Sequence, residues 1–166
     1  MRDTDLLISN NGGVFQIKVS GRANFEYAVP LRNIAKGTGE IKGIAINLEN
    51  CAAMDSSFMG VLSMLALRLR KQNTAVELYN AGDNLQNLLR ELGILKLFSL
   101  KQGSCAAEGT QGFAAENNAS ALTTAQTVSE AHKALVEADS GNEKKFGTVI
   151  EYADADVKRL SQKEQN

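Results

Sequence analysis

The chain has 166 residues, of which 43% are hydrophobic and 22% are charged, as expected for one globular domain with an appendage. Its 18 basic and 19 acidic residues leave no positive excess for direct binding to a nucleic acid or an anionic membrane surface. The two cysteines are too few for a disulfide framework or a structural zinc site, and no apolar stretch reaches the ~18 residues of a membrane span. Together with an N-terminus unlike a signal peptide, these features predict a cytoplasmic protein without a metal or other cofactor.

The first hundred residues alternate between strand and helix patterns. The segments LLIS and VFQIKVSG flank the turn signal NNGG and predict a β-hairpin. The segment NFEYAVPLRNIAKG predicts a helix that Asn24 caps and Pro30 interrupts or kinks. IKGIAINLEN then reads as a buried strand, and a largely apolar helix follows from about residue 57.

A second strand–helix–strand unit completes this part of the chain. AVELYNA, residues 75–81, alternates like a strand, and GDNLQNLLRELG predicts a helix that Asp83 caps with Gln86 and Gly93 ends. ILKLFSL follows as a last strand. This alternation favours an α/β fold, with a mostly parallel sheet that is entered through an antiparallel hairpin and covered by helices.

The remainder of the chain has a different composition. In residues 103–126, 19 of 24 residues are Ala, Gly, Ser, Thr, Asn or Gln, which favours a linker between a domain at 1–102 and an extension at 127–166. The extension predicts two helices, the first starting with a capping box from Thr127 to Glu130. Because isolated helices of this length are marginal in water, their apolar stripes must pack on the domain, on each other or on another chain.

The segment MDSSFMG, at the start of the apolar helix, has two interpretations. A serine at a helix start commonly caps the backbone and stabilises the helix by roughly 1 kcal/mol. Alternatively, a phosphate on Ser56 would lie at the helix N-terminus, which favours an anion, and would add about −1.5 to −2 charges beside Asp55.

The helix itself is apolar on most sides through its first three turns. Such a helix is either buried within its own chain or covered by a partner. The residues that we expect to form a partner-binding surface are Phe58, Met59, Gly60, Met64 and Leu67.

From INLENCAAMDSSFMG through LRELGILKLF, the chain resembles the STAS domain family of sulfate transporters and anti-sigma factor antagonists, and the similarity covers about residues 5–100. The resemblance implies a four- to five-stranded mixed sheet with helices mainly on one face, here with a C-terminal helical extension. It also implies a bacterial antagonist that binds an anti-sigma factor, itself a serine kinase. That kinase phosphorylates the first serine after the aspartate and so ends binding, and a serine phosphatase restores it. The implied acceptor is Ser56, with Asp55 and Ser57 as its neighbours.

Two positions depart from the family pattern. Phe58 stands where members often have glycine, and Asn47 where they often have aspartate at the end of a strand. Phe58 enlarges the apolar patch, and Asn47 removes a negative charge that would affect the electrostatics of the acceptor. Neither change removes Ser56.

Two other classes of function compete with the switch. An enzyme is not expected, because the chain has no phosphate-binding glycine loop and its only histidine, His132, is far in sequence from Ser56 and reads as a solvated helix residue. The alternative is a STAS scaffold or ligand-binding module in a signalling or lipid-transport complex. The sequence leaves the oligomeric state open, including a homodimer.

Overall fold

The computed structural model describes residues 5–105, 113–114 and 119–164. The strands are β1 (Asp5–Asn11), β2 (Val14–Ala23), β3 (Gly43–Asn47), β4 (Cys51–Met54), β5 (Val76–Tyr79), β6 (Phe98–Lys101) and β7 (Phe113–Ala114). The helices are α1 (Phe25–Lys36), α2 (Ser56–Arg70), α3 (Asp83–Glu91), α4 (Ala121–Ala138) and α5 (Asn142–Glu164). A short 3₁₀ turn, Leu95–Leu97, precedes β6.

The strands form one mixed sheet in the order β6-β5-β3-β2-β1-β7, and β4 pairs with the end of β2. The β1–β2 hairpin is antiparallel, whereas β2–β3, β3–β5 and β5–β6 are parallel. This arrangement confirms the predicted mixed α/β fold with its hairpin entry.

The two faces of the sheet differ in burial. Ile17, Ile46 and Leu78 lie in register on neighbouring strands and are fully buried, in one core cluster with residues of α1 and α2. On the opposite face, Ala45 and Glu77 are in register and only half-buried. The helices therefore cover mainly one face, as predicted.

Several predicted element ends are wrong by a few residues. α1 continues through Pro30, because burial of its neighbours Val29 and Leu31 outweighs the one backbone hydrogen bond that proline cannot donate. α3 begins after Gly82 without a side-chain cap, so Asp83 is its first residue, and the Gln86 amide donates to the Ala81 carbonyl instead. The last strand begins only at Phe98.

The tail is a helical hairpin, formed by α4 and α5, that packs on the domain. α4 contacts α1 and α2, and α5 contacts α4. α4 begins at Ala121 with Ser120 as its cap, so the predicted capping box at Thr127 is wrong and the last residues of the predicted linker are helical. Thr127 lies inside the helix, where its hydroxyl donates to the Thr123 carbonyl. Of the predicted linker, residues 106–112 and 115–118 lie outside the described residues.

Candidate partner-binding and modification site

The start of α2 leaves the hydroxyl of Ser56 free of any capping role. Asp55 is the N-cap, and its Oδ1 accepts a 2.8 Å hydrogen bond from the backbone N–H of Phe58. The Asp55 N–H in turn donates to the Ala23 carbonyl at the end of β2, at 2.9 Å, which fixes the helix start against the sheet. Ser56 is the first helical residue and is half-buried, whereas Ser57 is 7% exposed.

The Ser56 hydroxyl bonds to the only histidine of the chain. Ser56 Oγ lies 2.8 Å from His132 Nε2, and His132 Nδ1 lies 2.7 Å from the carbonyl oxygen of Val128 one turn earlier in α4. Because a carbonyl oxygen only accepts, Nδ1 donates to Val128, and in the neutral form of the ring Nε2 is then the acceptor of the Ser56 hydroxyl. The His132 ring also meets the Phe146 ring edge-on, with centroids 5.0 Å apart.

This contact overturns the expectation that His132 is a solvated helix residue, and it brings two residues that are far apart in sequence together. His132 is 2% exposed, because α4 lies across α2 with the histidine against the helix start. The spacing resembles a nucleophile and its base. However, the ring is oriented by a backbone carbonyl rather than a carboxylate, and the nearby Phe58 N–H is already bonded to Asp55. The pair is therefore better suited to hold two helices together than to attack a substrate.

α2 and α4 come into close contact at Gly60. A Cβ atom on Gly60 would overlap the carbonyl oxygen of Ala131 and lie 2.8 Å from its Cβ. Real Cβ contacts essentially never come this close, so only glycine lets the two helix backbones approach to this distance. Gly60 thus determines how closely α4 lies over the Ser56 end of α2.

The residues that were predicted to bind a partner differ in how deeply they are buried. Phe58 and Met59 are 0% and 5% exposed, and Gly60 is buried beneath Ala131. Met64 and Leu67 are half-buried. In this conformation α4 of the same chain covers the central part of the predicted surface, and its use by another protein stays a prediction.

A charged cluster joins α4 to α1 beside this contact. Glu130 receives a two-pronged interaction from Arg32, with Nε–Oε2 at 2.7 Å and Nη2–Oε1 at 3.1 Å, and Lys36 Nζ lies 3.4 Å from Oε1. Burial alone would raise the pKa of Glu130, but the hydrogen bonds and positive charges of Arg32 and Lys36 outweigh it and lower the pKa below its ordinary value. Glu130 therefore fastens the tail to α1 and does not cap α4 as predicted.

The turn between α4 and α5 is attached to the domain through Asn142. Its side-chain Nδ2 donates to the carbonyls of Leu92 and Leu135, both at 2.8 Å, and the residue is 2% exposed. Lys145 Nζ adds a 3.0 Å bond to the Glu91 carbonyl. The bonds to Leu92 and Glu91 satisfy carbonyl groups at the end of α3 that the helix itself leaves open.

Asn47, the second departure from the family pattern, lies at the end of β3 and is 1% exposed. Its Oδ1 accepts from the Glu49 N–H at 3.0 Å, and Asn80 Nδ2 lies 3.5 Å from the same oxygen. Its hydrogen bonds therefore stabilise the turn between β3 and β4 and connect it to Asn80. They do not reach Ser56.

Sequence analysis missed His132, Arg32 and Glu130 as members of the site. A weak signal was present, because His132 lies one turn after Val128 and next to Ala131, both of which belong to the predicted apolar stripe. A histidine inside such a stripe is a candidate for a buried contact. Its partner at Ser56 depends on how α4 docks, which periodicity does not specify.

The described helices include none that is both long and apolar enough to cross a membrane. A family model, the STAS domain, matches residues 10–107, which is more than half of the chain. A comparison with curated proteins gave no match.

Solved structures with similar folds include three of low sequence identity. The anti-sigma factor antagonist SpoIIAA in its unphosphorylated form is 17% identical, with 62% of this chain and 91% of that chain covered and a TM-score of 0.47. A sulfate transporter family protein from Wolinella succinogenes is 18% identical, with 56% and 80% covered and a TM-score of 0.47. A candidate anti-sigma factor antagonist from Thermotoga maritima is 14% identical, with 62% and 89% covered and a TM-score of 0.47.

Proposed function

The chain belongs to the STAS domain family, and we propose that it is a regulatory binding protein of the anti-sigma factor antagonist type, switched off by phosphorylation of Ser56. It binds an anti-sigma factor that is also a serine kinase, and a serine phosphatase reverses the modification. The protein acts in the cytoplasm by exchanging protein partners and carries out no catalysis of its own.

The observation that carries this proposal is the state of the Ser56 hydroxyl. Asp55 provides the helix cap, so the fold does not need Ser56 for that purpose, and Ser56 is only half-buried whereas Ser57 is buried. An acceptor must be replaceable by its phosphorylated form without loss of the fold. Ser56 meets that requirement better than its neighbour does.

Phosphorylation would change the local electrostatics sharply. A phosphate adds about −1.5 to −2 charges at a helix N-terminus, where the helix dipole and free N–H groups favour an anion. The same charge lies beside Asp55 and the apolar residues of α2, and it disfavours any partner that must bury that surface. The domain therefore tolerates the phosphate, while the complex does not.

The direct test is mass spectrometry of the protein isolated from its native cells with phosphatases blocked. We expect a partly phosphorylated population, and fragmentation must assign the phosphate to Ser56 rather than to Ser57. Protein that stays unmodified across growth and stress conditions would refute the switch.

Charge variants test the consequence for binding. Ser56→Asp should keep the fold and weaken binding to an anti-sigma factor kinase of the same organism by roughly tenfold or more, whereas Ser56→Ala should bind constitutively. Ser120→Asp is the matched control, because it makes the same change at the exposed start of α4, where aspartate caps as well as serine. Equal binding by wild type and both Ser56 variants would place the switch elsewhere.

A scaffold or ligand-binding role in a larger complex is the competing proposal. A scaffold forms a large homo-oligomer at micromolar concentration in size-exclusion chromatography, and a lipid-binding module co-purifies with its ligand. A monomer or dimer that carries no ligand favours the switch.

A further inference from the structure

The tail helix α4 lies on the part of α2 to which the proposed function assigns the switch. Ser56 bonds to His132, and Gly60 lies directly beneath Ala131. The central part of the predicted partner surface, at Gly60, is therefore already occupied by a helix of the same chain while Ser56 is unmodified.

The contact between α4 and the domain is chemically specific. Ala131 is 0% exposed and is small enough for the backbones to meet at Gly60. On the adjacent side, the Glu130 carboxylate forms ion pairs with Arg32 and Lys36 of α1. The surface thus selects a helix that presents a small residue and a carboxylate in adjacent positions.

The hydrogen bond between Ser56 and His132 of α4 is incompatible with a phosphate on Ser56. Oγ lies 2.8 Å from a ring nitrogen of a histidine that is 2% exposed. A phosphoryl group does not fit between two atoms at hydrogen-bond distance. Phosphorylation of Ser56 therefore breaks its bond to His132, which is one of the contacts that hold α4 on α2.

We propose that α4 is an internal occupant of the partner surface, and that a protein partner binds by replacing it with a helix that carries a small residue over Gly60 and a carboxylate facing Arg32 and Lys36. This inference rests on the proposed function only in naming that surface as the switch. Release of the tail is the step that exposes Ser56, Gly60 and the two basic residues together.

The test uses the full chain and a fluorescein-labelled synthetic peptide of residues 119–164, whose sequence is that of the tail. In Ala131→Leu, the larger side chain has no room opposite Gly60, so the chain's own α4 is released while α1 and α2 keep their native residues. The free peptide then binds this variant roughly tenfold or more tightly than it binds wild type, because a larger fraction of the chains has the surface open.

Ala121→Leu is the matched control, since it makes the same substitution at an exposed position of the same helix. It should bind the peptide as weakly as wild type. Hydrogen–deuterium exchange of α4 should rise in Ala131→Leu and stay low in the control. Equal peptide binding by the two variants, or unchanged exchange of α4 in Ala131→Leu, would overturn the proposal.

A second pair of variants tests the same proposal in case Ala131→Leu does not fold. Glu130→Arg places a positive charge against Arg32 and Lys36, whereas Glu137→Arg makes the same change at an exposed position of α4. Only Glu130→Arg should release α4 and gain peptide binding; identical behaviour of the pair would overturn the proposal.

Neither assay uses the kinase, so their outcome is separate from that of the proposed switch. The peptide can bind the opened surface even if Ser56 is never phosphorylated in cells. Conversely, Ser56 could be phosphorylated in cells although the tail does not compete with the peptide. That result would support the phosphorylation switch and contradict the proposal that α4 is an internal occupant of the partner surface. Incorporating phosphoserine at position 56 of the full chain links the two, because it should raise α4 exchange; unchanged exchange would overturn the proposed incompatibility.

Discussion

The domain and its tail are held in place by different kinds of contact. In the domain, aliphatic side chains of the sheet and of α1 and α2 form one dry core, in which Ile17, Ile46 and Leu62 are fully buried. The tail adds Ala131 and Leu135 to that core, approaches α2 closely at Gly60, and is fastened by polar side chains, among them Glu130 and Asn142.

This difference implies that the two regions separate at different free energies. A continuous apolar core is lost cooperatively, whereas an interface that adds few side chains to that core and is otherwise held by polar bonds opens locally at lower cost. Substitutions in the domain should therefore weaken both regions, and substitutions at the tail contacts should weaken tail docking alone.

The largest effect is expected for Leu62→Ala in the centre of α2. Leu62 is 0% exposed, and removing its side chain should lower the free energy of unfolding by about 2–5 kcal/mol. Urea denaturation followed by circular dichroism measures the loss. Leu100→Ala, at a position that is 42% exposed, should cost clearly less; equal losses would contradict a core centred on α2.

Gly60→Ala should separate the two regions most clearly. The added methyl group overlaps Ala131, which should weaken tail docking by about 1–3 kcal/mol, although alanine favours the helix itself by ~1 kcal/mol. Hydrogen exchange should rise in α4 while protection of α2 persists. Gly147→Ala in α5 is the control, because its new Cβ meets open space; a rise in α4 exchange there too would show that the contact with Ala131 is not the cause.

Asn142→Ala should loosen the turn of the tail. It leaves the buried carbonyls of Leu92 and Leu135 without their side-chain donor, at a cost of about 1–3 kcal/mol. Exchange of the first turn of α5 should rise. Asn33→Ala, at an exposed position of α1, should change stability by less than about 0.5 kcal/mol. Equal losses of stability in the two variants would refute the role of the Asn142 hydrogen bonds.

Tail docking should weaken in acid through Glu130. Its pKa is lowered in the docked state, so its contribution is fully present above the ordinary glutamate pKa and is lost as the pH falls through the lowered value. Glu130→Gln should cost roughly 1 kcal/mol of docking at neutral pH and should remove this part of the pH dependence. Thermal melts between about pH 3 and 7 measure this pH dependence. Identical dependence of the melting temperature on pH in wild type and variant would contradict the assignment to Glu130.

The smallest effect is expected for Lys133→Ala. Lys133 Nζ lies 3.0 Å from Asp154 Oδ1 between α4 and α5, but both side chains are about half-exposed. Such pairs contribute about 0–1 kcal/mol and are screened by salt. A loss that persists in high salt would show that Lys133 contributes by packing.

The sequence predicted the fold well where its signals are local. The NNGG turn, the alternation of strand and helix, and Gly93 at the end of α3 all depend on neighbouring residues, and the structure contains each of them. Signals of this kind follow from periodicity and backbone preference, which are properties of a short segment.

The arrangement of the site depends on contacts between distant segments. Ser56 and His132 are 76 residues apart, and Arg32 and Glu130 are 98 apart. The apparent capping box at Thr127 was misleading because α4 starts earlier, at a serine within a segment whose composition resembles a linker. The docking of α4 onto Gly60 requires tertiary geometry that helical periodicity does not contain.

The covalent continuity of domain and tail has a quantitative consequence for any binding assay. A tethered segment competes at an effective concentration on the order of millimolar, however dilute the protein is. A partner must bind tightly enough to displace the tethered tail. The apparent affinity of the whole chain for that partner is therefore lower than the intrinsic affinity of the uncovered surface. The threshold for engaging this protein is thus encoded in its own tail, and changes in α4 adjust it without altering a residue of the STAS domain.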